Sequence, residues 1–315
     1  MFNDSPLVSA KTKRKVLKAA EELNYRHNRL AAALRSGKSK TIGIVVPEIN
    51  NYFFGNVINS IEKNLANSGY SSIITQSYES FETERAALDS LLKLNVDGIL
   101  ISNSKNTQDY SFFEKTQKEG TPIVFFDRMP DFENSNAVLL DDFKGGVIAT
   151  SHLIDSGCSN LVHVVGDAKV SIFNQRKEGF LHAVQENKKV VENHYLIELS
   201  FEVEKDRKVL NDLLTKNPNI DGFFCHGDKF SVHVMNMLRL LGYAIPEQVK
   251  LIGFGNNDYT EFTYPKMSSI DQKCDQMGAL AVEMLLDTID KETIIYSKQV
   301  LSPNLIIRGS SRQID

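Results

Sequence analysis

Thr41–Pro47 (TIGIVVP) is a nearly unbroken apolar run of strand length, and Tyr52–Ser68 behind it carries apolar residues at helical spacing. The pair then recurs. Tyr70–Gln76 is followed by the amphipathic stretch Phe81–Leu94, Val96–Ser102 (VDGILIS) by Asp109–Glu119, and Thr121–Asp127 (TPIVFFD) closes the series. A strand apolar at successive positions, not at alternate ones, has to be covered on both faces. Strands of this kind alternating with helices predict a parallel sheet with helices on both sides, a doubly wound α/β lobe.

The pattern starts again at Ala137–Leu140. Helices are predicted over Gly145–Asp155, Gln175–Asn187, Lys205–Lys216 and Ser231–Leu241. They alternate with strands at Leu161–Val165, Tyr195–Leu199, Asp221–Cys225 (DGFFC) and Val249–Phe254. A helix over Lys273–Asp290 and a strand-like run over Gln299–Arg308 end the chain. Two such lobes in tandem imply a cleft between them. Ligands of open parallel sheets sit beyond the carboxyl ends of the strands, so lobes facing each other there form a hinged trap. The expected division is a head over residues 1–40 and a two-lobed domain over 41–315. The first lobe takes about 41–140 plus 272–300, and the second about 141–271 plus 301–315.

Charge divides the chain at the same place. Residues 1–40 hold ten Lys or Arg and three acids, a net +7; the whole chain carries −4, which leaves −11 for residues 41–315. A basic head on an acidic body suits a chain whose one end meets a polyanion. A solvated basic tail has the same composition, and charge alone leaves the two readings even. No apolar run reaches the ~20 residues of a membrane span, and the polar N-terminus lacks the apolar core of a signal peptide; a cytoplasmic protein is expected. The three cysteines, Cys158, Cys225 and Cys274, are far apart and odd in number, with no zinc spacing, and are read as reduced thiols.

Within the head, Ser9 is placed to cap a helix carrying Val16, Ala19, Ala20 and Leu23, and Asn28 to cap a short second helix, Arg29–Arg35, stopped by Ser36-Gly37. The second helix is too short to persist unaided. These residues carry a resemblance: Val8-Ser9-x-x-Thr12-x-x-x-Val16, Leu23-Asn24-Tyr25-x-x-Asn28-Arg29-x-Ala31-x-x-Leu34 and Thr41-Ile42-Gly43. Further matches follow in order: Phe125-Phe126-Asp127-Arg128, Asp141-Asp142, His152-Leu153, Arg176-x-x-Gly179-Phe180, Gly227-Asp228, Gly242-x-x-Ile245-Pro246 and Leu251-Ile252-Gly253-Phe254. Together they resemble the lactose/galactose repressor family over nearly the whole chain.

The resemblance implies a periplasmic-binding-protein-like pair of lobes preceded by a DNA-binding headpiece and hinge helix. In the family a helix-turn-helix precedes the segment matching Asn3–Ser9, where only two residues stand here, so weak and poorly selective operator binding is expected. His27 stands where the family usually has proline. The resemblance makes Leu34 a minor-groove wedge and Arg29, Arg35 and Lys38 (with Lys40) phosphate contacts, which bring affinity without sequence reading. An ordinary apolar anchor is the alternative for Leu34. For the cleft it nominates Phe53, Phe54, Ser102, Asp127, Arg176 and Asp228 as contacts to a small polar effector, a sugar or nucleobase. Arg176 would offer paired donors and Asp127 accept hydroxyls; the phenylalanines read alternatively as core, and Asp228 as a helix cap. Sugar-responding members commonly carry Asp where Gly255 stands, with Asn256 as the expected substitute.

Enzyme signatures are missing: there is no G-x-G-x-x-G after a strand, P-loop, G-x-S-x-G or metal-ligand cluster, and no cofactor is implied. The expectation is a ligand-gated, homodimeric, DNA-binding regulator. A periplasmic-type solute-binding protein, or a sensor without specific DNA binding, are the alternatives. No heptad tail follows the last strand, so a dimer is expected over a tail-built tetramer.

Overall fold

The computed structural model describes residues 9–23, 38–130, 134–289, 291 and 296–312, which fall into two units, residues 1–40 and 41–315. In the first, helix α1 (Ala10–Glu22) starts where Ser9 Oγ accepts a hydrogen bond from Thr12 N at 3.3 Å. No α1 side chain is buried. Its five cations, Lys11, Lys13, Arg14, Lys15 and Lys18, are those read from the sequence. Asn28, Arg29, Leu34 and Arg35 lie outside the described residues; of the expected DNA contacts Lys38 and Lys40 are described, half-buried and exposed respectively, ahead of the first strand.

The second unit holds two sheets. In the first lobe, β1 (Thr41–Val46), β2 (Ser71–Gln76), β3 (Gly98–Ile101), β4 (Ile123–Phe126), β5 (Asn136–Leu140) and β11 (Lys298–Leu301) lie in the order β11-β5-β4-β3-β1-β2, every neighbouring pair parallel. Helices α2 (Tyr52–Asn67), α3 (Phe81–Lys93) and α4 (Ser111–Lys118) connect them. Asn51 and Ser80 cap α2 and α3 through their side chains.

In the second lobe, β6 (Asn160–Val164), β7 (Asn193–Ile197), β8 (Gly222–Cys225), β9 (Lys250–Gly255), β10 (Ser268–Asp271) and β12 (Asn304–Ile306) follow the order β12-β10-β9-β8-β6-β7. All pairs are parallel except β10 with the edge strand β12, which runs antiparallel. Its helices are α5 (Asp142–Asp155), α6 (Ser171–Glu186), α7 (Val203–Lys216) and α8 (Asp228–Leu240); α9 (Cys274–Ile289) returns to the first lobe and packs on β3, β4, β5 and α2. The chain thus crosses between lobes at Asp141, at Gln272-Lys273 and between Leu301 and Asn304, three strands of a hinge.

Several elements differ from the sequence reading: the run Gln299–Arg308 is two strands, β11 and β12, in different sheets, and helix α8 opens at Asp228, not Ser231. Helix α5 opens at Asp142, not Gly145, because Asp141 Oδ1 accepts from Lys144 N at 2.9 Å. Helix α6 opens at Ser171, a full turn before Gln175, which puts Arg176 in its second turn. Strand β10 was not predicted, since Ser268-Ser269 carries no apolar signal. It is buried because its hydroxyls are paired, Ser268 Oγ donating to Arg308 O at 3.0 Å and Ser269 Oγ to Asp228 Oδ1 at 2.5 Å.

Helices α5 and α6 touch backbone to backbone. A β-carbon at Gly146 would lie 2.3 Å from Arg176 O, and one at Gly179 would lie 2.1 Å from Phe143 O. Only glycine permits that approach, and it is what brings the second turn of α6 against the start of α5.

Candidate ligand-binding cleft

The carboxyl ends of both sheets face a cleft of about 970 Å³ between the lobes, the size of a small-molecule site. From the first lobe, the opening turn of α2 contributes Phe53 and Phe54, both buried, and the chain after β4 contributes Asp127 and Arg128. From the second lobe come Arg176, His226, Asp228, Phe254, Asn257 and Tyr259.

Asp127 sits in the left-handed region, φ +62°, a conformation that an aspartate tolerates at some cost. Its carboxyl is buried with weak partners: Ser102 Oγ is 3.5 Å away and Arg128 Nε 3.6 Å. Burial pushes its pKa up to about 7, against the pull of Arg128 and Arg176. Ser102 is completely buried beneath Asp127 and supports it without lining the cleft.

Arg176 is held on three sides. Nε donates to Asp142 Oδ1 at 2.7 Å, Nη1 donates to His226 O at 2.6 Å, and the guanidinium carbon lies 3.6 Å from the centre of the Phe254 ring. Nη2 has no hydrogen-bond partner. Two of its five N–H donors are therefore spent inside the protein, and the Nη2 amino group is the end left without a partner. Asp142 is equally buried, and burial raises its pKa while Arg176 opposes the rise.

His226 escaped the sequence reading, although its position directly after the strand DGFFC was a usable signal. Its Nδ1 lies 3.0 Å from Val164 O, so Nδ1 carries the proton and Nε2 is an acceptor. Burial pushes its pKa down to about 4, which keeps the ring neutral at pH 7.

Asp228 is the first residue of α8, and the N-cap is Gly227. Its carboxylate is spent inside the protein: Oδ2 accepts from Asn257 N at 2.8 Å and Asn257 Nδ2 at 3.1 Å, and Oδ1 accepts from Ser269. Desolvation nevertheless pushes the group up to about 6. Gly255, at φ +139°, faces this carboxylate. A β-carbon there would lie 2.7 Å from Asn257 Nδ2 and 3.0 Å from Asp228 Oδ2, so the space of the missing carboxylate is already occupied.

Asn256 is not on the cleft wall. Its Oδ1 accepts from Arg308 Nη2 at 2.8 Å, and it lines a separate polar cavity of about 410 Å³. Its neighbour Asn257 lines the cleft instead, with Oδ1 unpartnered. The reason is local: Asp228 captures the Asn257 backbone and amide and turns Asn256 outward. Among the described residues no group of His, Cys, Asp and Glu could hold a metal ion. The cysteines are free, and burial pushes Cys158 and Cys274 up to about 12, so neither is a thiolate nucleophile.

Two α/β lobes joined by three crossovers over a mixed aromatic and polar cleft define a hinged small-molecule receptor, and residues 150–311 match the periplasmic binding protein-like domain. A transcriptional repressor PurR of Haemophilus influenzae (strain PittEE) is 30% identical over 319 aligned residues, covering 100% of this chain and 94% of that one. The ribose operon repressor of Halalkalibacterium halodurans is 26% identical, with 99% and 92% covered. Among solved structures, a periplasmic binding protein/LacI transcriptional regulator from Alkaliphilus metalliredigens complexed with D-xylulofuranose superposes with a TM-score of 0.76 at 27% identity, covering 87% of this chain and 100% of that one. A LacI family regulator from Enterococcus faecium with bound ribose gives 0.75 at 26% identity, with the same coverage.

The chain belongs to the LacI/GalR family of transcription regulators, in which a two-lobed domain binds a small effector and controls a DNA-binding headpiece. Its relatives are repressors and not enzymes. Among the described residues no helix is long and apolar enough to cross a membrane.

Proposed function

We propose that the cleft takes a small hydroxyl-rich effector, sugar-like in size and polarity, and that its occupancy governs operator binding through residues 1–40. Asp127 carries this reading. A buried carboxyl in a strained backbone, with no hydrogen bond shorter than 3.5 Å to Ser102 and 3.6 Å to the next cation, has unspent capacity for a ligand's hydroxyls. Arg176, His226 and Asn257 line the same cleft, with the Arg176 Nη2 amino group, His226 Nε2 and Asn257 Oδ1 outside the protein's own hydrogen bonds, and Phe53 and Phe54 offer an apolar face to a ring. The relatives bound to D-xylulofuranose and ribose support a pentose as the first compound to test.

The test is calorimetric titration of D-ribose, D-xylulose, their sugar acids and nucleobases, with Asp127→Asn beside the parent. A pentose bound by the parent and weakened about tenfold or more by the variant is the expected result. Equal affinities would remove Asp127 from the site.

The protein is proposed to act in the cytoplasm as a homodimer. Phe262 and Tyr264, 84% and 82% exposed on the second lobe, are apolar surface suited to a second copy. Sedimentation of Phe262→Ser/Tyr264→Ser against the parent tests that face.

A further inference from the structure

The lobes are joined covalently at the three crossovers, and they also touch on the opposite side, at the rim of the cleft. Lys105, in the loop after β3 of the first lobe, places Nζ 2.7 Å from Oδ2 of Asp167, in the loop between β6 and α6 of the second. A second contact crosses nearby: Tyr52, at the start of α2, meets Tyr259 edge to face with ring centres 4.9 Å apart. Residues so placed connect the two moving bodies without belonging to the hinge.

The Lys105 loop is anchored from behind. Lys105 N donates to Glu79 Oε2 at 2.8 Å and Asn106 Nδ2 to Glu79 O at 2.6 Å. Glu84, wholly buried on α3, accepts from Ser104 N and from Thr107 Oγ1, each at 2.5 Å. Glu79 is itself held by Arg128 Nη1 at 2.8 Å. On the other side, Asp167 Oδ1 caps its own turn by accepting from Lys169 N at 3.0 Å, which leaves Oδ2 for Lys105. With both backbones fixed, forming the pair orders little more than one lysine side chain, so the entropy cost is smaller than for a pair that joins two free loops.

We propose that Lys105 and Asp167 form an electrostatic latch that holds the cleft closed in the ligand-free protein and sets its open fraction. The side chains are 29% and 40% exposed, so solvent screens the pair. A partly exposed pair of this kind shifts an equilibrium by about two- to fivefold, and salt at ionic strengths whose Debye length falls towards ~3 Å weakens it. A change of this size tunes effector affinity without touching the ligand, since a ligand favouring the closed form gains whatever closed population already exists.

The experiment uses the full chain without ligand. Fluorophores are placed by unnatural amino acids at Lys93 and Lys188, exposed positions on different lobes, and interlobe distances are read by single-molecule energy transfer. Lys105→Glu and Asp167→Lys should each raise the open fraction about two- to fivefold. The swapped double variant should restore the parent distribution, and added salt should open the parent but not the single variants. Thermal melts confirm that each variant is folded. Unchanged distances in both single variants would overturn the latch. So would a swap that stays open although both singles are open, since the effect would then not come from the pair.

Discussion

Arg176 Nε donates to Asp142 Oδ1 at 2.7 Å, and both side chains are buried. Asp142 is the first helical residue after the chain crosses from the first lobe to the second, and Arg176 lines the cleft. The pair therefore ties the ligand wall to one strand of the hinge. It also alters what removing the arginine should do. Arg176→Ala strands a buried carboxylate, a loss of about 3–5 kcal/mol. At roughly 2–4 °C per kcal/mol for a domain of this size, the melting temperature should fall by about 6–20 °C. Adding Asp142→Asn should recover part of the loss. An unchanged melt for the single variant would mean that the pair carries no stability.

Asp127 makes a pH-dependent prediction. Its pKa is raised from 3.8 to about 7 in the fold, so the folded state retains a proton that the unfolded state has released. Stability attributable to this group is therefore lost as pH rises from about 4 to about 7 and is level above that. Asp127→Asn removes the titration. The melting temperature of the variant minus that of the parent should climb across this window and then plateau. A flat difference from pH 4 to pH 8 would contradict a raised carboxyl at this position.

The glycine contact between α5 and α6 leaves no room for a methyl group. Gly179→Ala would drive a β-carbon to 2.1 Å from Phe143 O, which is backbone and cannot rotate away. The helices must separate, at a cost of about 1–3 kcal/mol or more. Urea denaturation should show this loss. Gly55→Ala, on an open face of α2 with nothing within 4 Å, is the control and should be neutral or slightly stabilising.

Helix α1 presents Lys11, Lys13, Arg14, Lys15 and Lys18 with no buried side chain. Contacts from such residues go to phosphate and release counterions, so the logarithm of the DNA affinity should fall linearly with the logarithm of salt concentration, by about 0.9 per contact. Lys13→Gln/Lys15→Gln should lower both the affinity and this slope on any duplex. Fluorescence anisotropy at several salt concentrations measures both. A slope unchanged in the double variant would take these lysines out of the interface.

Strand runs such as Thr41–Val46 and Gly222–Cys225 were legible because a strand buried on both faces has to be apolar throughout. Ser268–Asp271 was not, since its burial depends on hydroxyl partners 40 or more residues away. The cleft was legible in outline: Phe53, Phe54, Asp127, Arg176 and Asp228 do line it. Their division of labour was not, because hydrogen-bond capacity is shared among residues far apart in the chain.

The sequence by itself determined the α/β alternation, the restart that makes two lobes, the basic head and the family, since all of these rest on local periodicity, composition and ordered motifs. The tertiary structure alone decided which polar groups are left for a ligand. Asp142 and His226 take two of the Arg176 donors, and Asn257 and Ser269 satisfy Asp228. Asp127, with the same side chain as Asp228, is left nearly unpartnered. The physical reason is that a buried polar atom must find its partners wherever the fold brings them, and that placement is a property of packing, which no stretch of sequence contains.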